Sequence, residues 1–158
     1  MIRLAPLALL IIAAPLAARD SLGVFDGWAA FRDASPKRCY AIARPRNTAG
    51  AVQASASIAT WPEHKVRGQV HIVLSREIAQ DSAVRLRIAG RDFALVAQGR
   101  NAWAANARMD AAIIAALRSA SSMAITARTP QGRAFTDSYG LAGAATAMDA
   151  ASVGCAAR

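Results

Sequence analysis

Cysteine, lysine, histidine and acidic residues are all scarce in this chain of 158 residues, and each shortage closes off a class of chemistry. The two cysteines, Cys39 and Cys155, and the two histidines, His64 and His71, are too few and too scattered for a closed metal site. Neither H-E-x-x-H nor C-x-x-C occurs. The G-x-S-x-G turn of a serine hydrolase is missing, and no pair of the 10 carboxylates is spaced in a way that predicts glycosidase geometry. Glycines cluster at Gly140-Leu141-Ala142-Gly143, but without the G-x-G-x-x-G spacing or a G-K-[ST] ending, so dinucleotide and P-loop readings fall away. That tetrapeptide reads first as a device for turning a helix closely back onto a sheet, and second as an anion cradle. The expectation is no catalytic residue, no metal and no cofactor.

No apolar run reaches the length of about 18 residues needed to span a bilayer. The stretch from Leu4 to Ala18 is shorter, is interrupted by Pro6 and Pro15, follows the single charge of Arg3, and ends in Leu16-Ala17-Ala18. That order predicts a signal peptide over residues 1–18, cleaved near Ala18, with no following cysteine for a lipid anchor. Residues 19–158 are then one exported domain, periplasmic or released to the surface or medium, and long enough for one core.

What the chain does have is arginine. Basic residues number 19 against 10 acidic, and loss of Arg3 leaves 18 − 10 = +8; only Lys37 and Lys65 are lysines. The planar guanidinium suits phosphate and carboxylate recognition, while a GC-rich coding bias accounts equally for a chain rich in both Ala and Arg. An exported protein does not meet nucleic acid, so the partners expected are an envelope or host protein, anionic lipid or lipopolysaccharide. The row Arg85, Arg87, Arg91 is the candidate anion-binding site, with Arg44, Arg46 and Arg128 as neighbours; a merely solvated face is the alternative. Trp28, Trp61 and Trp103 read as core or core-edge residues ahead of a binding platform.

Val70, Ile72 and Leu74 alternate with polar positions, as do Val84, Leu86 and Ile88 around Arg85 and Arg87, which marks half-buried strands. Phe93, Leu95 and Ala97 continue this pattern after the spacer Gly90-Arg91-Asp92, predicting a hairpin. Further strands are expected over 28–32, 38–44, 53–60, 123–128 and 133–139, the last two joined by a type I turn at Thr129-Pro130-Gln131-Gly132. Residues 45–50 read as a loop. Helical spacing begins at Met109, with Asp110 as cap or first-turn acid, and again from Leu141, with Gly154 as a stop. The fold class expected is α+β, mainly β: an antiparallel β-sandwich-like domain with two short helices.

Cys155 falls on the helical stripe of Leu141, Ala144, Ala145 and Met148, so its thiol should face the sheet that carries Cys39. One intramolecular disulfide is the first reading in an exported protein. A pair of buried thiols and an intermolecular bridge remain open.

Three segments together carry a resemblance: Asp110 to Leu117, then Met123-Ala124-Ile125-Thr126-Ala127, then Ser138-Tyr139-Gly140-Leu141-Ala142-Gly143 running into Ala144-Ala145-Thr146-Ala147-Met148. With Gly27-Trp28, Arg38-Cys39-Tyr40, Lys65-Val66-Arg67-Gly68 and the hairpin from Arg85 to Val96, the chain resembles the invasion-associated locus B (IalB) family of exported proteins. The resemblance implies a β-sandwich-like periplasmic or surface domain associated with host-cell entry, and no catalytic residues. The function expected is therefore a non-catalytic interaction module; a small envelope enzyme inhibitor or stress chaperone is the alternative, and an enzyme with an unfamiliar site is a third.

Overall fold

The computed structural model describes residues 19–47 and 53–156; the expected signal peptide and part of the loop expected over 45–50 lie outside them. Ten strands form one antiparallel sheet in the order β1-β2-β3-β4-β5-β8-β7-β6-β9-β10. In chain order they are β1 (Arg19–Phe25), β2 (Trp28–Asp33), β3 (Arg38–Ala43), β4 (Ser55–Trp61), β5 (Val66–Val73), β6 (Val84–Ile88), β7 (Arg91–Gln98), β8 (Asn101–Trp103), β9 (Ser122–Arg128) and β10 (Ala134–Gly140). Two helices, α1 (Ala107–Leu117) and α2 (Ala144–Ala156), complete the α+β, mainly β domain.

The sheet curls until its ends meet. Trp28 on β2, fully buried, donates its indole N–H to the carbonyl of Gly140 at the end of β10, 2.9 Å away. The segment after β3 closes the outer edge of β10: Arg46 N donates to Ser138 O at 2.7 Å. Beside it, Asn47 donates through Nδ2 to Thr136 O at 2.6 Å and accepts from Ser138 N at 2.9 Å. One side-chain amide thus satisfies the groups an edge strand would otherwise leave open.

Strand register sorts the residues into two faces. Trp28, Ala30, Cys39, Ala41, Ile58, Val70, Ile72, Leu86 and Ile125 point inward to one continuous core. Both helices pack on this inner face, α2 across β1 to β4 and α1 against β5 and β6. The disulfide Cys39–Cys155 ties the last turn of α2 to β3, with α-carbons 5.7 Å apart. Its loop spans 116 positions, which in the chain-entropy account contributes about 4–5 kcal/mol.

Several boundaries differ from expectation. The β6–β7 turn is Ala89-Gly90, both at positive φ (47° and 78°), so Arg91 and Asp92 already belong to β7. A two-residue turn with both residues at positive φ matches the right-handed twist of the strands. Helix α1 starts before Met109, at Ala107, because Asn106 is the N-cap and accepts from Met109 N at 3.0 Å. Helix α2 starts at Ala144 and continues through Gly154, which is a contact point and not a stop: a Cβ there would overlap Leu22 of β1. Gly143, at φ +81°, is the residue that turns the chain back, and a Cβ on it would collide with the Phe25 carbonyl. The turn after β9 is as expected, with Gly132 N donating to Thr129 O at 2.8 Å.

Candidate functional site

The face of the sheet opposite the helices collects the candidate groups. Cross-strand partners lie on the same face of a sheet, so one row crosses seven strands: Val24, Ala29, Ile42, Ser57, His71, Trp103 and Val96. Val24 and Val96 are 71% and 56% exposed. Between them His71 stacks on Trp103, ring centroids 5.4 Å apart, and its Nε2 is 3.0 Å from Asn101 Oδ1. The row is apolar and aromatic at its centre and has no helix over it.

Beside this row stands a ladder of cations and rings. The Arg19 guanidinium lies 5.7 Å from the Phe31 ring and 5.8 Å from Tyr40; Arg38 lies 4.3 Å from Tyr40 and 5.0 Å from Trp61. Asp33 holds both arginines, Arg19 at 3.1 Å and Arg38 at 2.6 Å. Burial, reinforced by the Asp33 charge, raises the Tyr40 phenol above its ordinary range, so it stays protonated.

At the other end, Arg85 and Arg87 project outward from β6 while Val84, Leu86 and Ile88 are buried. Asp92, opposite on β7, accepts from Arg87 at 2.7 and 2.9 Å and sits 3.7 Å from Arg85. The Arg87 hydrogen bonds hold the Asp92 carboxyl below the usual carboxylate range. Arg91 does not join the row. Its partner is Ile88, so it lies on the opposite face, its guanidinium 5.3 Å from the Phe93 ring. Arg46 packs over Gly140, away from the pair, whereas Arg128 lies on the same face of β9 as Thr126, the cross-strand partner of Arg85, and donates to Gly132 O at 2.9 Å.

The remaining sequence candidates have structural positions. Trp28 is core, Trp61 and Trp103 are half-buried on the outer face, and His64 ends a 3-10 turn, Pro62–His64. Among the described residues no three metal-ligating side chains gather, and no helix is long and apolar enough to cross a membrane.

One polar pair escaped sequence reading. Asp137 and Tyr139 are each 1% exposed on the inner face of β10. Asp137 Oδ2 accepts from Ser75 N at 2.8 Å, whereas Asp137 Oδ1 and the Tyr139 hydroxyl have no partner among the described residues. Burial first, and the Asp137 charge second, push the Tyr139 phenol far up. A phenol so held keeps its proton, which suits a core anchor and not a general base. The alternation Phe135, Asp137, Tyr139 was the available signal for its inward position.

Searches of curated proteins and of solved structures found no match. The family model described as "Invasion associated locus B (IalB) protein" matches residues 28–152, from the buried tryptophan of β2 into the last turns of α2. That span includes all of the outer-face row except Val24, together with strands β2 to β10, α1 and α2 as far as Ser152, and so the chain belongs to the invasion associated locus B family.

Proposed function

We propose that this protein is an exported interaction module that works by surface contact and without catalysis, its binding surface being the outer face of the sheet. The observation that carries the reading is the row from Val24 to Val96, in which exposed apolar side chains flank a stacked His71–Trp103 pair. Aromatic and aliphatic groups at the centre with arginines around them are the composition of a protein-binding patch. Arg19 and Arg38 on one side and Arg85 and Arg87 on the other supply that rim, and favour an acidic partner. Family membership supports a role at the cell envelope connected with invasion. The leader-like residues 1–18 support export to the periplasm or surface.

The test is affinity capture of the exported protein from its own envelope and from host-cell surface extracts, comparing wild type with the double variant V24E/V96E. Both positions are exposed, so the fold should persist, as a thermal melt would verify. The reading expects a stoichiometric partner captured by wild type and lost from the variant. Capture unchanged by both substitutions, or no partner in either extract, would refute it.

A further inference from the structure

On the other side of the sheet, between the inner face of β4 and β5 and the C-terminal halves of the two helices, lies a groove of about 680 Å³. Its floor is Ile58 and Thr60 of β4, with Gly68 admitting the Ile114 side chain from α1; its far wall is Met148 and Ala151 of α2. The wall is anchored at the end of α2 by the disulfide through Cys155, which also lines the groove. A volume of this size is that of a pocket for one small ligand.

The charge around the groove has one sign. Lys65, Arg67 and Arg118 line it, all exposed and therefore at its mouth, and no carboxylate is among its lining residues. Arg118 is held by Asp149 at 2.6 Å, a bond that joins the end of α1 to α2. Lys65 and Arg67 have no ion-pair partner among the described residues. The Lys65 backbone is held at φ 55°, its N–H closing the preceding 3-10 turn onto Pro62 O at 3.1 Å. An apolar trough that ends in two uncompensated cations is complementary to a molecule with a single apolar tail and an anionic head.

We propose that this groove binds a single-chain anionic amphiphile, its tail laid against Ile58, Ile114 and Met148 and its head met by Lys65 and Arg67. The tail leaves water for an apolar floor, which provides the affinity. The cations set the sign of the head group and orient the chain. The site is independent of the outer-face reading, because it lies on the opposite side of the sheet.

The experiment titrates the folded, disulfide-intact protein with hexadecanoate, hexadecyl phosphate and hexadecyltrimethylammonium, each below its micelle concentration, by calorimetry with native mass spectrometry for stoichiometry. Saturable 1:1 binding of the anionic compounds, with the cationic one at least tenfold weaker, is the expected result. A tighter fit to hexadecanoate assigns a free fatty acid as the source, and to hexadecyl phosphate a lysophospholipid-type head; either supports the proposal. The double variant K65S/R67S changes only exposed side chains and should weaken both anions about three- to tenfold. S152W, an exposed wall position that would fill the groove, should weaken all three compounds. Absence of saturable binding, equal binding of the cation, or titrations unchanged in both variants would overturn the proposal.

Discussion

Asp110, in the first turn of α1, accepts the backbone N–H of Val70 on β5 at 2.8 Å. β8 is only three residues long and pairs with β5 from His71 onward, so Val70 is the first position without a strand neighbour on that side. The carboxylate takes over where β8 ends, which is why the helix docks at that height on the sheet. Burial raises the Asp110 carboxyl above its ordinary value despite the bond from Val70.

This sets a pH dependence with a definite sign. A carboxyl whose folded pKa is raised binds its proton more tightly in the native state, so the native state gains as pH falls through the folded value toward the unfolded one. Above the folded value the burial penalty of the charge is fully present. D110N keeps an oxygen acceptor for Val70 without that charge and should unfold within about 1 kcal/mol of wild type at pH 7, with a flatter pH profile in the acid range. D110A strands the Val70 N–H and should lose about 1–3 kcal/mol. Urea melts at several pH values distinguish the three proteins; identical profiles for wild type and D110N would disprove the assignment.

Removing the disulfide should be far more damaging. C39A/C155A is expected to lower unfolding stability by about 4–5 kcal/mol, a large share of a domain's usual margin of about 5–15 kcal/mol. Intact-mass measurement after alkylation without reductant should find no alkyl group on the wild-type monomer. Two groups would show that the thiols are unpaired.

Two glycines at the ends of α2 should respond differently to alanine. G143A must place a side chain at φ +81° and against the Phe25 carbonyl, a backbone atom that cannot step aside, so a loss of more than about 2 kcal/mol is expected. G154A meets only the tip of Leu22, which can rotate, and alanine gains about 1 kcal/mol over glycine inside a helix. Its net change should stay within about 1 kcal/mol, and thermal melts that ranked the two variants the other way would contradict the packing described.

Asp92 neutralises the outward arginines of the β6–β7 hairpin. D92N should therefore increase retention on an anionic matrix at low salt, and added salt should abolish the gain. R85S/R87S should reduce retention below wild type. No difference among the three would show that this hairpin makes no contribution to anion attraction.

Strands with an unbroken period were visible in the sequence because half-burial writes itself as alternation: Val84 to Ile88 reads inward and outward without fault. β1 was invisible for a physical reason. A bulge between Ser21 and Gly23 puts Leu22 out of phase, so no period runs through the strand. β8 offers only Asn101–Trp103, too few residues to show any period. Because the turn is Ala89-Gly90, Arg91 is a strand residue two positions before Phe93 and takes the face of Phe93, opposite to Arg85 and Arg87. Helical phase aimed Cys155 at the sheet, and with only two cysteines in the chain a bond to Cys39 was the first reading among three, whereas the outer row could not be assembled. It takes one side chain from each of seven strands, and their alignment exists only in the register.

Because α2, built from Ala144 to Ala156, roofs the four strands that begin the domain, those strands have no lid until the chain has been synthesised as far as Ala156. The chain cannot finish folding from its N-terminus onward. Strands β1 to β4 must wait, with their apolar side uncovered, for the thirteen residues of α2 to arrive. Until that helix docks, the uncovered inner side of these strands is open to wrong contacts, and a delay at this step exposes the chain to aggregation.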